Sequence, residues 1–184
     1  MALRNALLAA LIDRESSGYD LAKRFRVSVA NFWTATPQQL YRELDKLEAE
    51  GLLTARVVHQ DKRPDKRLFS VTDAGRAALT EFTRQDPRPT TVRDELLVQV
   101  EALAWADNAA VRASIEARIK QSEQRLEAYE RQLADILGTR SHEEFLATGN
   151  RIGPYLTLQR GISFERENIS WGELALRVLR SRSA

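Results

Sequence analysis

The amino-acid sequence predicts a mainly α protein in two parts, a first half of short helices with one β-hairpin and a second half of long helices. Three observations predict it. Apolar residues recur at three- and four-residue steps along most of the chain. One stretch alone, Leu52 to Thr72, carries two segments rich in β-branched residues around a charged turn. Between the halves, Pro87 and Pro89 in the run Arg84 to Thr91 forbid a continuing helix. The boundary is expected after residue 85, giving parts 1–85 and 86–184.

A chain of 184 residues with 43% hydrophobic and 29% charged residues has the composition of a globular protein, which excludes the disordered and membrane-spanning classes. The apolar run Ala6 to Ile12 is too short to cross a bilayer and reads as a core helix. With no Cys and two His, neither a disulfide, a thiolate zinc site nor a histidine metal centre is expected, and no cofactor. The expected location is cytoplasmic. The net charge of +2 decides little, but residues 1–85 hold 14 Lys+Arg against 11 Asp+Glu, so the basic excess lies in the first half.

Leu3, Leu7, Leu8, Leu11 and Ile12 make an amphipathic helix from about Ala2 to Asp13. Gly18 permits a turn, Asp20 is placed to cap, and Tyr19 to Phe25 reads as a short second helix. A third helix starts at TPQQ, with Thr36 as N-cap, Pro37 at the first helical position and Gln39 closing a capping box. Its stripe is Leu40, Leu44 and Leu47, and Gly51 stops it. Gln38, Arg42 and Asp45 lie on the opposite face, with Gln39, Tyr41 and Lys46 on the flanks. Leu52 to Val58 and Arg67 to Thr72 form the hairpin, HQDKRPDKR (His59 to Arg67) its tip, and Asp73 caps a helix to Phe82. In the second half, Glu95 to Trp105 reads as one helix. Ile115, Ile119, Ser122, Leu126, Tyr129, Leu133 and Ile136 form a near-heptad seam in a long helix ending at Gly138, and a last helix runs from about Pro154 to Arg180. Exposed helices with an apolar seam need a partner.

Three helices, the third with a polar outer face, followed by a basic hairpin, give an N-terminal winged helix-turn-helix with a two-stranded β-hairpin wing, joined to an all-helical C-terminal dimerisation domain. A helix fits the major groove and an adjacent hairpin can lay cations against phosphate. The expected DNA contacts are Thr36, Gln38, Gln39, Tyr41, Arg42 and Lys46 on the helix, and Lys62, Arg63, Lys66 and Arg67 in the wing. Gln pairs with adenine and Arg with guanine, while the wing cations supply salt-dependent affinity. A polar face and a charged hairpin tip also suit any solvated surface. The competing function is a winged-helix protein-interaction module without direct DNA binding, although such a groove favours exposed apolar residues. No nucleophile–base pair, phosphate loop or metal spacing supports an enzyme.

The segments GYDLAKRF, TPQQLYRELDKLEAEGLL, KRPDKRLFSVTDAGR and LQRGISFERENISWGE resemble those of PadR-family transcriptional regulators, in the branch with a larger helical C-terminal domain. The resemblance implies a dimeric repressor on a pseudo-palindromic operator, released by a small, often aromatic, effector. Tyr41 and Arg42 occupy the family's recognition-helix pair, where many relatives have Pro in place of Arg42. Asp65 follows Pro64 where relatives often have a cation, and would repel phosphate unless Lys62 or Arg67 pairs with it. Trp33, Trp105 and Trp171 could stack on an aromatic effector, though a Trp at helical spacing is more often a core anchor. Ile115, Ile119, Leu126, Tyr129, Leu133, Ile162, Ile169 and Trp171 are the expected dimerisation residues. His59 and His142 read as surface or turn residues.

Overall fold

A computed structural model of the chain describes residues 2–25, 35–59, 65–87, 89–91, 93–150 and 152–181. Trp33, Lys62 and Arg63 lie outside the described residues. The chain divides into two units, Met1–Arg88 and Pro89–Ala184.

The first unit runs α1 (Ala2–Leu11), β1 (Ser16–Ser17), α2 (Gly18–Arg24), α3 (Pro37–Ala49), β2 (Leu53–Val58), β3 (Lys66–Val71) and α4 (Asp73–Phe82). Leu7, Leu8 and Leu11 of α1 meet Leu21 and Phe25, Leu40, Leu44 and Leu47, and Leu53 and Phe69 in one core. Burying each such leucine contributes roughly 1.5–3 kcal/mol, enough to fix the faces that the helices turn outward. α1 stops two residues short of the expected end, with Ile12 and Asp13 in a bend.

Two caps differ from expectation. Ser17, not Asp20, caps α2, its Oγ accepting from the Asp20 N–H at 3.1 Å and donating to the Asp20 carboxylate at 2.7 Å. Thr72, not Asp73, caps α4: its hydroxyl accepts from Gly75 N at 3.1 Å and bonds the carbonyls of Gly51 and Leu52, tying the wing's base to the end of α3. The short β1 is an addition to the expected hairpin. It makes a three-stranded antiparallel sheet of order β1-β3-β2, pairing Ser16 with Phe69 and Ser17 with Leu68.

The second unit contains α5 (Glu95–Glu101), α6 (Asn108–Leu137), α7 (His142–Thr148) and α8 (Ile152–Ser181). The helix expected to reach Trp105 ends at Glu101, because Asp107 caps α6 and the chain turns between them. Asp94 caps α5 and takes a two-bond fork from Arg118 at 2.8 and 3.0 Å. Part of the α6 seam finds its partner within the chain. α6 packs on α8, joining Val111, Ile115 and Leu176 in one cluster and Tyr129, Leu158 and Ile162 in another. Gly172 allows the crossing, since a Cβ there would stand 2.7 Å from Ile119 Cγ1. α7, which the sequence reading left out, starts with a Ser141–Glu144 capping box and docks by Phe145 against Tyr155.

Candidate nucleic-acid interface

The front of α3 is set by its own start signal. Thr36 Oγ1 accepts from Gln39 N at 3.2 Å and Gln39 Oε1 accepts from Thr36 N at 2.9 Å, so both halves of the capping box form. At the other end Gly51 takes a φ of 71°, a backbone that side chains disfavour. With Leu40, Leu44 and Leu47 buried, Gln38, Gln39, Tyr41, Arg42 and Lys46 are exposed together on the outer side.

The capping box divides the two glutamines. Reading adenine bidentately uses both the oxygen and the nitrogen of the side-chain amide. Gln39 has its oxygen engaged in the cap, whereas the exposed Gln38 has no side-chain hydrogen bond among the described residues. Among the described residues Arg42 has no ion-pair partner, so its guanidinium projects uncommitted from the same face. Tyr41 is 44% exposed, and one edge of its ring packs on Gly18, at the start of α2, where a Cβ would collide with it.

The wing strand is occupied differently from expectation. Lys66 Nζ lies 2.7 Å from Asp20 of α2. Arg67 bonds Asp45 at 3.1 Å and also Glu48, both on α3, with its guanidinium 5.1 Å over the Phe69 ring. Burial works against the Arg67 charge, but its bonds to Asp45 and Glu48 outweigh that and raise its pKa further. The bonds from Lys66, then from Ser17, hold the Asp20 carboxyl below its ordinary value. Asp65 pairs with His59, Nδ1 to Oδ2 2.9 Å, while Arg67 is engaged by Asp45 and Glu48. Asp20, Asp45 and Glu48 were missed as site residues. A signal existed in the Asp45–Glu48 step, which places two carboxylates on one edge of α3, but what they face is set by the return of β3.

The two tryptophans within the described residues do not share a site. Trp171 lines an apolar groove of about 230 Å³ with Val100, Leu103, Ile115, Leu174 and Val178. Trp105, in the turn after α5, is 95% exposed and anchors no core. Of the expected dimerisation residues, Ile115, Tyr129 and Ile162 are buried within the single chain, and Ile119, Leu126, Leu133, Ile169 and Trp171 are half-buried.

Comparison with known proteins agrees with this arrangement. Residues 7–81 match the model of the transcriptional regulator PadR-like family, and residues 92–180 match that of the virulence activator alpha C-terminal region. A probable transcriptional regulator of Mycobacterium tuberculosis is 33% identical, over 93% of this chain and 94% of its own. The negative transcriptional regulator PadR of Bacillus subtilis is 30% identical, over 96% of this chain and 97% of its own. Among solved structures, Bacillus subtilis PadR in complex with operator DNA superposes with a TM-score of 0.76 at 26% identity, covering 97% of this chain and 99% of that one. The Vibrio cholerae virulence activator AphA does so at 0.73 and 28%, covering 98% and 99%. With a capped polar helix beside a wing in the first unit and a helical second unit matched along its length, the chain belongs to the PadR-like family of DNA-binding transcriptional regulators, which are not enzymes.

Proposed function

We propose that this chain is a cytoplasmic, dimeric repressor that reads a pseudo-palindromic operator with α3 and leaves it when a small aromatic molecule binds the helical unit. The observation that carries DNA reading is the front of α3, where Gln38 and Arg42 stand exposed and uncommitted beside Tyr41. In the groove they would read base edges, with Lys46 available to phosphate. Lys62 and Arg63, at the wing tip, are the proposed source of sequence-independent affinity.

Repression is supported by the relative from Bacillus subtilis, a negative regulator. The aromatic effector is supported by another structure of that PadR, in complex with p-coumaric acid, which superposes with a TM-score of 0.72 at 26% identity. In this chain Trp171 is the better placed tryptophan for such a ligand, because it borders the apolar groove between α5, α6 and α8.

The test is a gel shift of the full chain on the DNA upstream of its own gene, at low and high salt. Binding that weakens steeply with salt and survives competition by unrelated duplex supports the reading. Absence of binding to any duplex at low salt overturns it, and leaves the exposed face of α3 to a protein partner. Loss of the shifted band on adding p-coumaric acid or a related aromatic acid supports effector release; an unchanged band with every such acid removes that part.

A further inference from the structure

We propose that Arg67 is a positioning residue, which locks the wing to the recognition helix and so sets sequence discrimination, and that it is not a phosphate contact. The inference rests on the DNA-binding reading of α3 and adds to it a division of labour among the cations.

Three observations converge on Arg67. Its guanidinium forks between two carboxylates a turn apart on α3, Asp45 and Glu48, while the residue itself belongs to β3. The central carbon of the guanidinium lies over the Phe69 ring, 5.1 Å from its centroid, and Phe69 is buried in the core against α1, α2 and α3. Its neighbour Lys66 makes the matching bond to α2 at Asp20, 2.7 Å away. The tip-side end of β3 is thus held to both helices of the helix-turn-helix by successive residues of one strand. On β2, Arg56, across from Leu68, pairs with Glu15, which precedes β1.

A cation already shared between two carboxylates gains little from a phosphate, because it must first give up those bonds. Releasing it would also uncover Asp45 and Glu48 on the helix that approaches the DNA, adding two anions next to a polyanion. The arrangement therefore favours a retained bridge in the complex. Base readout by α3 and tip contacts by the wing must fit the duplex at once, so the angle between the two elements decides which sequences satisfy both.

Lysine reproduces this bridge poorly: its ammonium has three donors, but it lacks the wide planar fork that spans two separate carboxylates and the flat face that suits an aromatic ring. That makes Arg67→Lys the informative variant. The experiment uses the full chain and two probes, a duplex selected by the wild-type chain from a random pool and a scrambled duplex of the same composition, each titrated over a range of salt. For Arg67→Ala and Arg67→Lys alike, the expected result is a fall of about tenfold in the preference for the selected duplex, the size of one weakened base contact. The salt slope on the scrambled duplex stays at the wild-type value. Asp45→Asn with Glu48→Gln breaks the same bridge from the other side and keeps the cation; it is expected to lose preference similarly.

If Arg67 instead contacts phosphate, Arg67→Ala lowers both duplexes equally and flattens the slope by roughly 0.9, Arg67→Lys restores binding, and the carboxylate variant keeps its preference for the selected duplex. Any of these overturns the inference, as does an unchanged preference. A wild-type chain that selects no duplex would instead overturn the DNA reading beneath it. Circular dichroism of each variant separates loss of the bridge from loss of the fold, and the carboxylate variant decides the outcome should Arg67→Ala unfold.

Discussion

Single side chains divide here into those that are free and those that are held, and the division predicts how each responds to mutation. Arg42 is exposed and has no ion-pair partner among the described residues, so Arg42→Ala is expected to leave stability unchanged. If Arg42 reads a base edge, the loss is about 1–3 kcal/mol confined to one base position, measured by competition with single-base variants of the selected duplex. An equal loss on all duplexes would make it a phosphate contact instead. Gly18 is the opposite case, a residue packed against Tyr41, one of the proposed DNA contacts. A Cβ there meets the Tyr41 ring, and Tyr41 is 44% exposed, so the ring can swing outward. Overpacking costs roughly 1–3 kcal/mol when nothing yields, but here the half-exposed ring can yield. Gly18→Ala is therefore expected to unfold in urea at nearly the wild-type midpoint and to bind the selected duplex more weakly. A lower midpoint with unchanged binding would refute this role for Tyr41.

At the level of elements, what was legible in the sequence was what neighbours in the chain decide. The start of α3 lies in four consecutive residues, Thr36 to Gln39, and its bonds span three positions, so spacing alone predicts them. The break after Glu101 was hidden because Ala102 to Trp105 still favours a helix, and Asp107 ends the matter by capping α6. Ser16 and Ser17 carry no strand signal of their own; they are a strand because Leu68 and Phe69 return beside them. The occupation of Arg67 was hidden for the same reason, since Asp45 and Glu48 are distant in sequence and become its neighbours only when the sheet forms. Asp94 shows how such a distant partner changes an element's chemistry. The bond from Arg118 is the largest influence on its carboxyl and, despite burial, holds it below its ordinary value. A carboxyl depressed in the folded state stabilises the fold above its unfolded value and loses that contribution as pH falls through the folded one. Asn caps a helix about as well as Asp, so Asp94→Asn isolates the charge. Urea unfolding should show the variant less stable at neutral pH, with the difference closing in acid below the ordinary aspartate range. A difference that persists there would assign the effect to the cap.

For the molecule as a whole, the internal packing of α6 on α8 changes where a second copy can attach. Ile115, Tyr129 and Ile162 are spent on the chain's own core, and truncating one should cost about 2–5 kcal/mol of stability without testing association. The apolar surface left over lies around α5: Leu97 is 45%, Val98 69% and Trp105 95% exposed, with Leu174 and Val178 of α8 on the rim of the groove beside Trp171. A tryptophan with almost all of its surface in water loses the benefit of its size, and exposed apolar residues grouped in this way mark an interaction site. If the proposed dimer forms through this surface, Trp105→Ser with Val98→Ser should weaken it by about 2 kcal/mol or more, roughly thirtyfold in the dissociation constant, because an aromatic anchor dominates such contacts. Sedimentation equilibrium over a range of concentrations measures that constant, and thermal unfolding of the variant should match wild type at a dilution where both are dissociated. The same variant should hold two half-sites poorly while keeping its affinity for one, since the α3 front is untouched. An unchanged dimer constant would move the interface away from α5, leaving Ile119, Leu126, Leu133 and Ile169, all partly exposed along the α6–α8 pair, as the next surface to truncate.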